Sequence, residues 1–190
     1  MFVEQLNDRI TAIKNLANDS DAFDAGRLSN LIGSVLAKFG SGSKIAFIGN
    51  GGSAAEAMHL AAEFTGRCVV NHKPLPALCL NESQSALTAI ANDFGVDEMF
   101  SRQVQAHLQK DDLLIALTTS GGSENIKKAI RSAKEIGVDV VVWMGDFEIC
   151  TDFAGVDVWR VPSKSTPRIQ EVHLMWGHIL AELVETNLPI

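Results

Sequence analysis

Five short runs of branched and apolar residues recur from Lys44 onward: Ile45–Ile48, Ala77–Leu80, Leu113–Leu117, Val138–Trp143 and Val156–Val161. Helix-period patterns lie between most of them. Strands that alternate with helices pair in parallel through right-handed crossovers, and helices cover both faces of the resulting sheet. The pattern predicts a doubly wound α/β fold with a five-stranded parallel sheet flanked by helices. Ahead of it, Phe2, Leu6, Ile10, Ile13 and Leu16, then Leu28, Ile32, Val35, Leu36 and Phe39, predict two N-terminal helices. Asn18-Asp19-Ser20-Asp21 separates the two, and Gly40-Ser41-Gly42-Ser43 ends the second. Pro162 to Pro167 reads as a loop, and Arg168 to Thr186 as a closing amphipathic helix. No repeat or linker interrupts the 190 residues, so 1–190 reads as one domain, with helices in 1–40 and the core with its closing helix in 41–190. The first helix has an apolar face with no strand beside it in sequence. It packs either on its own domain or on another subunit, and the sequence leaves both open.

Composition narrows the function classes. With 46% hydrophobic and 21% charged residues the chain has the makings of a packed core and not of a disordered segment. Its net charge is −7, and basic residues are scattered except for Lys127, Lys128, Arg131 and Lys134, which fall on a helical pattern and read as a solvated face. A nucleic-acid surface needs a basic stripe, and none is seen. Cys68, Cys79 and Cys150 are odd in number and far apart, as in a reducing compartment. No basic segment followed by an apolar core opens the chain, and no apolar run reaches the roughly 20 residues that span a bilayer. These features predict a cytoplasmic chain with no membrane partner.

Two strand-to-helix turns carry the chemistry. The first, Gly49-Asn50-Gly51-Gly52-Ser53, follows the Ile45 run and opens into an alanine-rich helical stretch that continues to Glu63. A glycine-rich turn lets backbone N–H groups and the positive end of a helix approach an anion closely. The second, Thr118-Thr119-Ser120-Gly121-Gly122-Ser123-Glu124-Asn125, follows the Leu113 run and offers hydroxyl donors to a phosphate, with Ser123 placed as a helix N-cap. In open α/β sheets ligands bind beyond the carboxyl ends of the strands, where both turns fall. Taken alone, either turn is equally well explained by capping; two in one small sheet favour a ligand. Neither is a Walker A or a dinucleotide fingerprint, which disfavours nucleotides.

His59 and Glu63 stand four residues apart on the first of these helices and so share a face. Such a pair is commonly a surface contact, but here the helix begins at the anion loop. On the closing helix Gln170 and His178 are about two turns apart and roughly 80° around the axis, whereas His173 points elsewhere and reads as structural. His59, Glu63, Gln170 and His178 suit a divalent metal such as zinc, and equally an acid and a base working without one. His72 and His107 show no such pattern.

These residues, with Arg67, Ala91-Asn92-Asp93-Phe94-Gly95 and Arg168-Ile169-Gln170-Glu171, resemble the phosphoheptose isomerase family of the sugar isomerase (SIS) domain superfamily over nearly the whole chain. The resemblance implies a single SIS domain, a homotetramer with sites at subunit contacts, and a phosphorylated seven-carbon sugar as ligand. It implies that Ser53, Thr118, Thr119, Ser120 and Ser123, with Asn50, Gly51 and Gly52, hold the phosphate. His59, Glu63, Gln170 and His178 would be the ligands of one Zn2+ per subunit or neighbours of the reacting carbons. Arg67, Asn92 and Asp93 would orient the substrate. The reaction implied is the interconversion of sedoheptulose 7-phosphate and D-glycero-D-manno-heptose 7-phosphate, with Glu63 and His178 as the acid/base pair, supplying heptose for a glycan such as lipopolysaccharide. Pro167 stands where some family members carry an acidic residue, so that position receives no catalytic task. Two other readings stay open. One is a non-catalytic SIS module resembling the DnaA initiator-associating factor, against which Glu63 and His178 argue. The other is an isomerase for a different sugar phosphate.

Overall fold

The computed structural model describes residues 2–17 and 24–188. The break expected at Asn18-Asp19-Ser20-Asp21 and the side chains of Phe2 and Leu16 lie outside the described residues. Two helices, α1 (Phe2–Ala17) and α2 (Ala25–Gly40), precede β1 (Ile45–Gly49), α3 (Gly52–Thr65) and β2 (Ala77–Cys79). There follow α4 (Gln84–Phe94), the short α5 (Ser101–His107), β3 (Leu113–Leu117), α6 (Glu124–Ile136), β4 (Asp139–Met144), β5 (Asp157–Arg160) and α7 (Thr166–Thr186).

The five strands form one sheet in the order β2-β1-β3-β4-β5, every neighbouring pair parallel. β1 and β3 are buried throughout, as the continuous apolar runs of a doubly covered parallel sheet require. Successive side chains alternate between faces. Ile45 and Phe47 join Leu60, Phe64, Trp143 and Trp176 in one core beneath α2, α3 and α7. Ala46 and Ile48 join Phe100, Ile126, Ile130 and Met144 in the other, beneath α5 and α6. The chain winds from β1 outward to β2 and then back past β1 to β3, so the order of winding reverses between β1 and β3. The loops leaving those two strands are the two turns singled out above.

α7 begins earlier than the composition of its approach suggests. Pro167 lies in its first turn, where a missing N–H leaves no hydrogen bond unmade, so the segment read as a loop through Pro167 is already helix at Thr166. The basic series on α6 is a solvated face laced with ion pairs. Lys128 pairs with Glu98, Arg131 with Glu124 and Asp152, and Lys134 donates to the Ala154 carbonyl. Among the described residues, no helix is long and apolar enough to cross a membrane.

Candidate active site

The two turns meet at the carboxyl ends of β1 and β3. Asn50 and Asn125 exchange amide hydrogen bonds, each donating its Nδ2 to the other's Oδ1 at 2.9 Å, and this reciprocal pair ties one loop to the other. Asn81, just past β2, accepts the Gly49 N–H at 3.2 Å and donates to the Gly49 carbonyl at 2.9 Å, bracing the end of β1. Gly51 bridges β1 and α3 with φ +57, a conformation that side chains other than glycine's rarely adopt. α3 and α6 both start at this point, so the positive ends of two helices converge on it.

Asn50, Gly52, Ser53, Thr118, Thr119, Ser123 and Gln170 line a cavity of about 140 Å3 there. That is well under the roughly 300–1,000 Å3 of a pocket enclosing a drug-sized ligand, and it suits a small polar group. Its hydroxyls are set up as donors. Ser53 Oγ accepts the Gln170 amide at 3.3 Å, Thr118 Oγ1 accepts the Gly121 N–H at 3.2 Å, and the neighbouring Ser120 Oγ accepts the Gly122 N–H at 3.2 Å. Each hydroxyl also carries a proton that can be turned toward an anion. Ser123 occupies the N-cap position of α6, as the sequence suggests, but its side chain makes no capping bond; Asn125 Oδ1 accepts the Ile126 N–H instead. Larger grooves exist elsewhere, one of about 500 Å3 at the amino ends of β3 and β4. It holds the Arg27–Asp157 ion pair and neither of the hydroxyl-bearing turns.

Along α3 from the cavity, His59 and Glu63 meet His178 of α7. His59 Nε2 is 2.8 Å from His178 Nε2 and 3.3 Å from Glu63 Oε1, and the three ligand atoms all lie within 4.8 Å of one another. Two imidazole nitrogens and a carboxylate oxygen gathered this closely are a donor set that fits zinc. Gln170, the fourth residue of the expected set, has its amide against Ser53, two turns along α7 from His178. Arg67 is exposed just past α3. Asn92 and Asp93 are exposed in the last turn of α4, with Asn92 donating to Asp93 at 2.7 Å, and none of the three lines the cavity. His173 is fully buried and stacked on Trp176. Burial pushes its pKa down to about 3, so it is a neutral core ring, in keeping with its structural assignment.

Two further groups had no signal in the sequence. Glu56, one turn beyond Ser53 on α3, buries both carboxyl oxygens beside the Ser53 hydroxyl. Burial raises its pKa to about 7, opposed only in part by the Ser53 hydroxyl. Cys68 sets its thiol beside Glu63. Burial first, and then the Glu63 charge, pushes that thiol up to about 11, so it stays protonated. A glutamate in a helix and a lone cysteine look unremarkable until their burial is known.

Residues 9–145 match the SIS domain family. A phosphoheptose isomerase of Rhodospirillum rubrum is 46% identical over 169 residues, covering 86% of this chain and 87% of that protein. One from Clostridium acetobutylicum is 38% identical over 192 residues, covering 98% and 95%. The chain belongs to the phosphoheptose isomerase family of SIS domains. As a family member it is an enzyme, a phosphosugar isomerase. The solved phosphoheptose isomerase of Neisseria gonorrhoeae superimposes on this SIS domain with a TM-score of 0.85 at 32% identity, covering 97% of each chain. That of Francisella tularensis does so at 0.86 and 28%, covering 98% and 97%. The family gives the hydroxyl-lined cavity and the His59–Glu63–His178 cluster a common context, and it weighs against the binding-module reading.

Proposed function

We propose that this isomerase interconverts sedoheptulose 7-phosphate and D-glycero-D-manno-heptose 7-phosphate through an enediol(ate), as a cytoplasmic step in making heptose precursors. The observation that carries the reading is the pairing of a small hydroxyl-lined cavity with an imidazole–carboxylate cluster on the same two helices. Ser53 and His59 are separated by roughly 9 Å of rise on α3, and Gln170 and His178 by roughly 12 Å on α7. Such spacing suits a long sugar with its phosphate at one end and its carbonyl at the other.

In this reading Asn50, Gly51, Gly52, Ser53, Thr118, Thr119, Ser120 and Ser123 hold the phosphate by neutral donors and two helix N-termini. Gln170 bridges the cavity and the reacting end. Glu63 removes the C1 proton of the ketose while His178 protonates the C2 oxygen, giving the enediol. His178 then takes the proton from the C1 oxygen as Glu63 returns one to C2, and the aldose results. Arg67, Asn92 and Asp93, exposed in the single chain, orient the substrate from subunit contacts of a homotetramer. His59, Glu63 and His178, with Gln170, would hold one Zn2+, which when bound polarises the carbonyl oxygen as a Lewis acid.

The test is a discontinuous assay with sedoheptulose 7-phosphate. Wild type should turn over, and Glu63→Gln and His178→Ala should each lower kcat by about 100-fold or more, the range of general acid–base catalysis. Chelator should reduce activity and added zinc restore it. A folded wild-type protein that is inert on this sugar with zinc present would sink the substrate assignment.

A further inference from the structure

We infer that Glu185 and His72 are positioning residues for this isomerase: together they clamp the 67–72 segment against the acid/base cluster. The inference rests on the function proposed above. Glu185 belongs to the last turn of α7, and its side chain is 1% exposed. Its Oε1 accepts the Cys68 N–H, and its Oε2 accepts those of Val69 and Val70, each at 2.9 Å. Three successive backbone donors thus turn onto one carboxylate, an arrangement that backbone nests provide for anions. His72 completes it. Its Nε2 is 3.0 Å from Glu185 Oε1, and its Nδ1 is 2.8 Å from the Lys73 carbonyl. The two contacts tie the ring to Glu185 on one side and to the Lys73 backbone on the other. Burial alone would push the Glu185 pKa up, but the three N–H groups and His72 outweigh it and hold the carboxyl below its ordinary value.

Apolar packing holds only part of the segment, through Cys68 against the core. Val69 is 58% exposed and Val70 44%, so apolar burial contributes little to its fixed course. What it carries is Arg67 and Cys68, and the Cys68 thiol lies beside Glu63. A carboxylate from the far end of α7 thereby sets both the neighbour of the proposed base and the position of Arg67. Neither Glu185 nor His72 reaches the cluster itself. They act through the segment.

Two readings of one variant set test this. Amide exchange at Cys68, Val69 and Val70 should be slow in wild type and at least about 10-fold faster in His72→Leu and Glu185→Gln. With sedoheptulose 7-phosphate, both substitutions should cut kcat/KM about 10-fold in the wild-type background. They should cut it less than about 2-fold in an Arg67→Ala/Cys68→Ala background, because groups acting through one segment are not additive. His72→Arg, which keeps a side-chain N–H donor toward Glu185, should retain most of the activity. Unchanged exchange, or an equal loss in both backgrounds, would overturn the clamp as a positioning device. If Glu185→Gln does not fold, the His72 variants decide alone. Turnover by wild type that the clamp variants leave intact defeats this inference only. No turnover by wild type defeats the substrate assignment, and this inference with it.

Discussion

Glu56 shows how much one residue's surroundings decide. Its carboxyl sits one turn beyond Ser53 with both oxygens buried, and burial raises its pKa to about 7 from 4.5. The folded protein therefore holds this proton more tightly than the unfolded chain does. The associated stability is fully present below pH 4.5 and is lost as pH rises through about 7. Below about pH 7 this carboxyl stays neutral and adds no negative charge beside the hydroxyl-lined cavity. Glu56→Gln keeps the shape and removes the titration. Its Tm should exceed that of wild type by a few degrees at pH 8 and match it near pH 5, as thermal unfolding across that range would show. Equal shifts at both pH values would mean that Glu56 is solvated and ionised in the folded state. His173 is the contrasting case, a histidine whose burial among Trp143 and Trp176 removes it from acid/base work altogether.

Between elements, the contact of α3 with α7 matters most, because it brings His59 and Glu63 to His178. The helices approach closely at Gly177, where an added Cβ would lie 2.2 Å from Leu60 Cδ2, and Leu60 is fully buried. Gly177→Ala should overpack this contact at about 1–3 kcal/mol, lowering Tm by about 2–12 °C for a chain of this size. It also pushes apart the pair that holds the two imidazoles at 2.8 Å. The kcat should fall about 10-fold or more at temperatures where circular dichroism shows the protein fully folded. Full activity in a folded Gly177→Ala protein would mean that the 2.8 Å approach is not needed for turnover. This packing also shows what the sequence makes legible. The five strands are readable because a doubly covered sheet demands unbroken apolar runs, and the His59/Glu63 pair because four residues make a helical turn. Pro167 misleads as a breaker since its first-turn position is the one a helix tolerates. Asn81 with Gly49, Asn50 with Asn125 and His72 with Glu185 leave no periodic trace, because each joins segments 32, 75 or 113 residues apart.

At the scale of the whole molecule, the exposed groups suggest that one chain does not complete the site. Val3, Leu6 and Ile10 recur along α1 and are 68%, 50% and 42% exposed, an apolar line that a lone subunit leaves in water. Arg67, Asn92 and Asp93 stand outside the cavity in the same single chain. Burying the α1 face against other subunits, in the homotetramer proposed above, would answer the first observation and offer a route to the second. Replacing Leu6 and Ile10 together with Asp places two charges on that face and should release smaller species, read by light scattering. The α/β core lies in other elements, so its circular dichroism should be retained. Activity should then fall with the loss of assembly, and raising the protein concentration should recover part of it. A variant that stays tetrameric would show that α1 does not hold the assembly. A fully active monomer would show that each chain carries a complete site, leaving Asn92 and Asp93 without a part in the reaction.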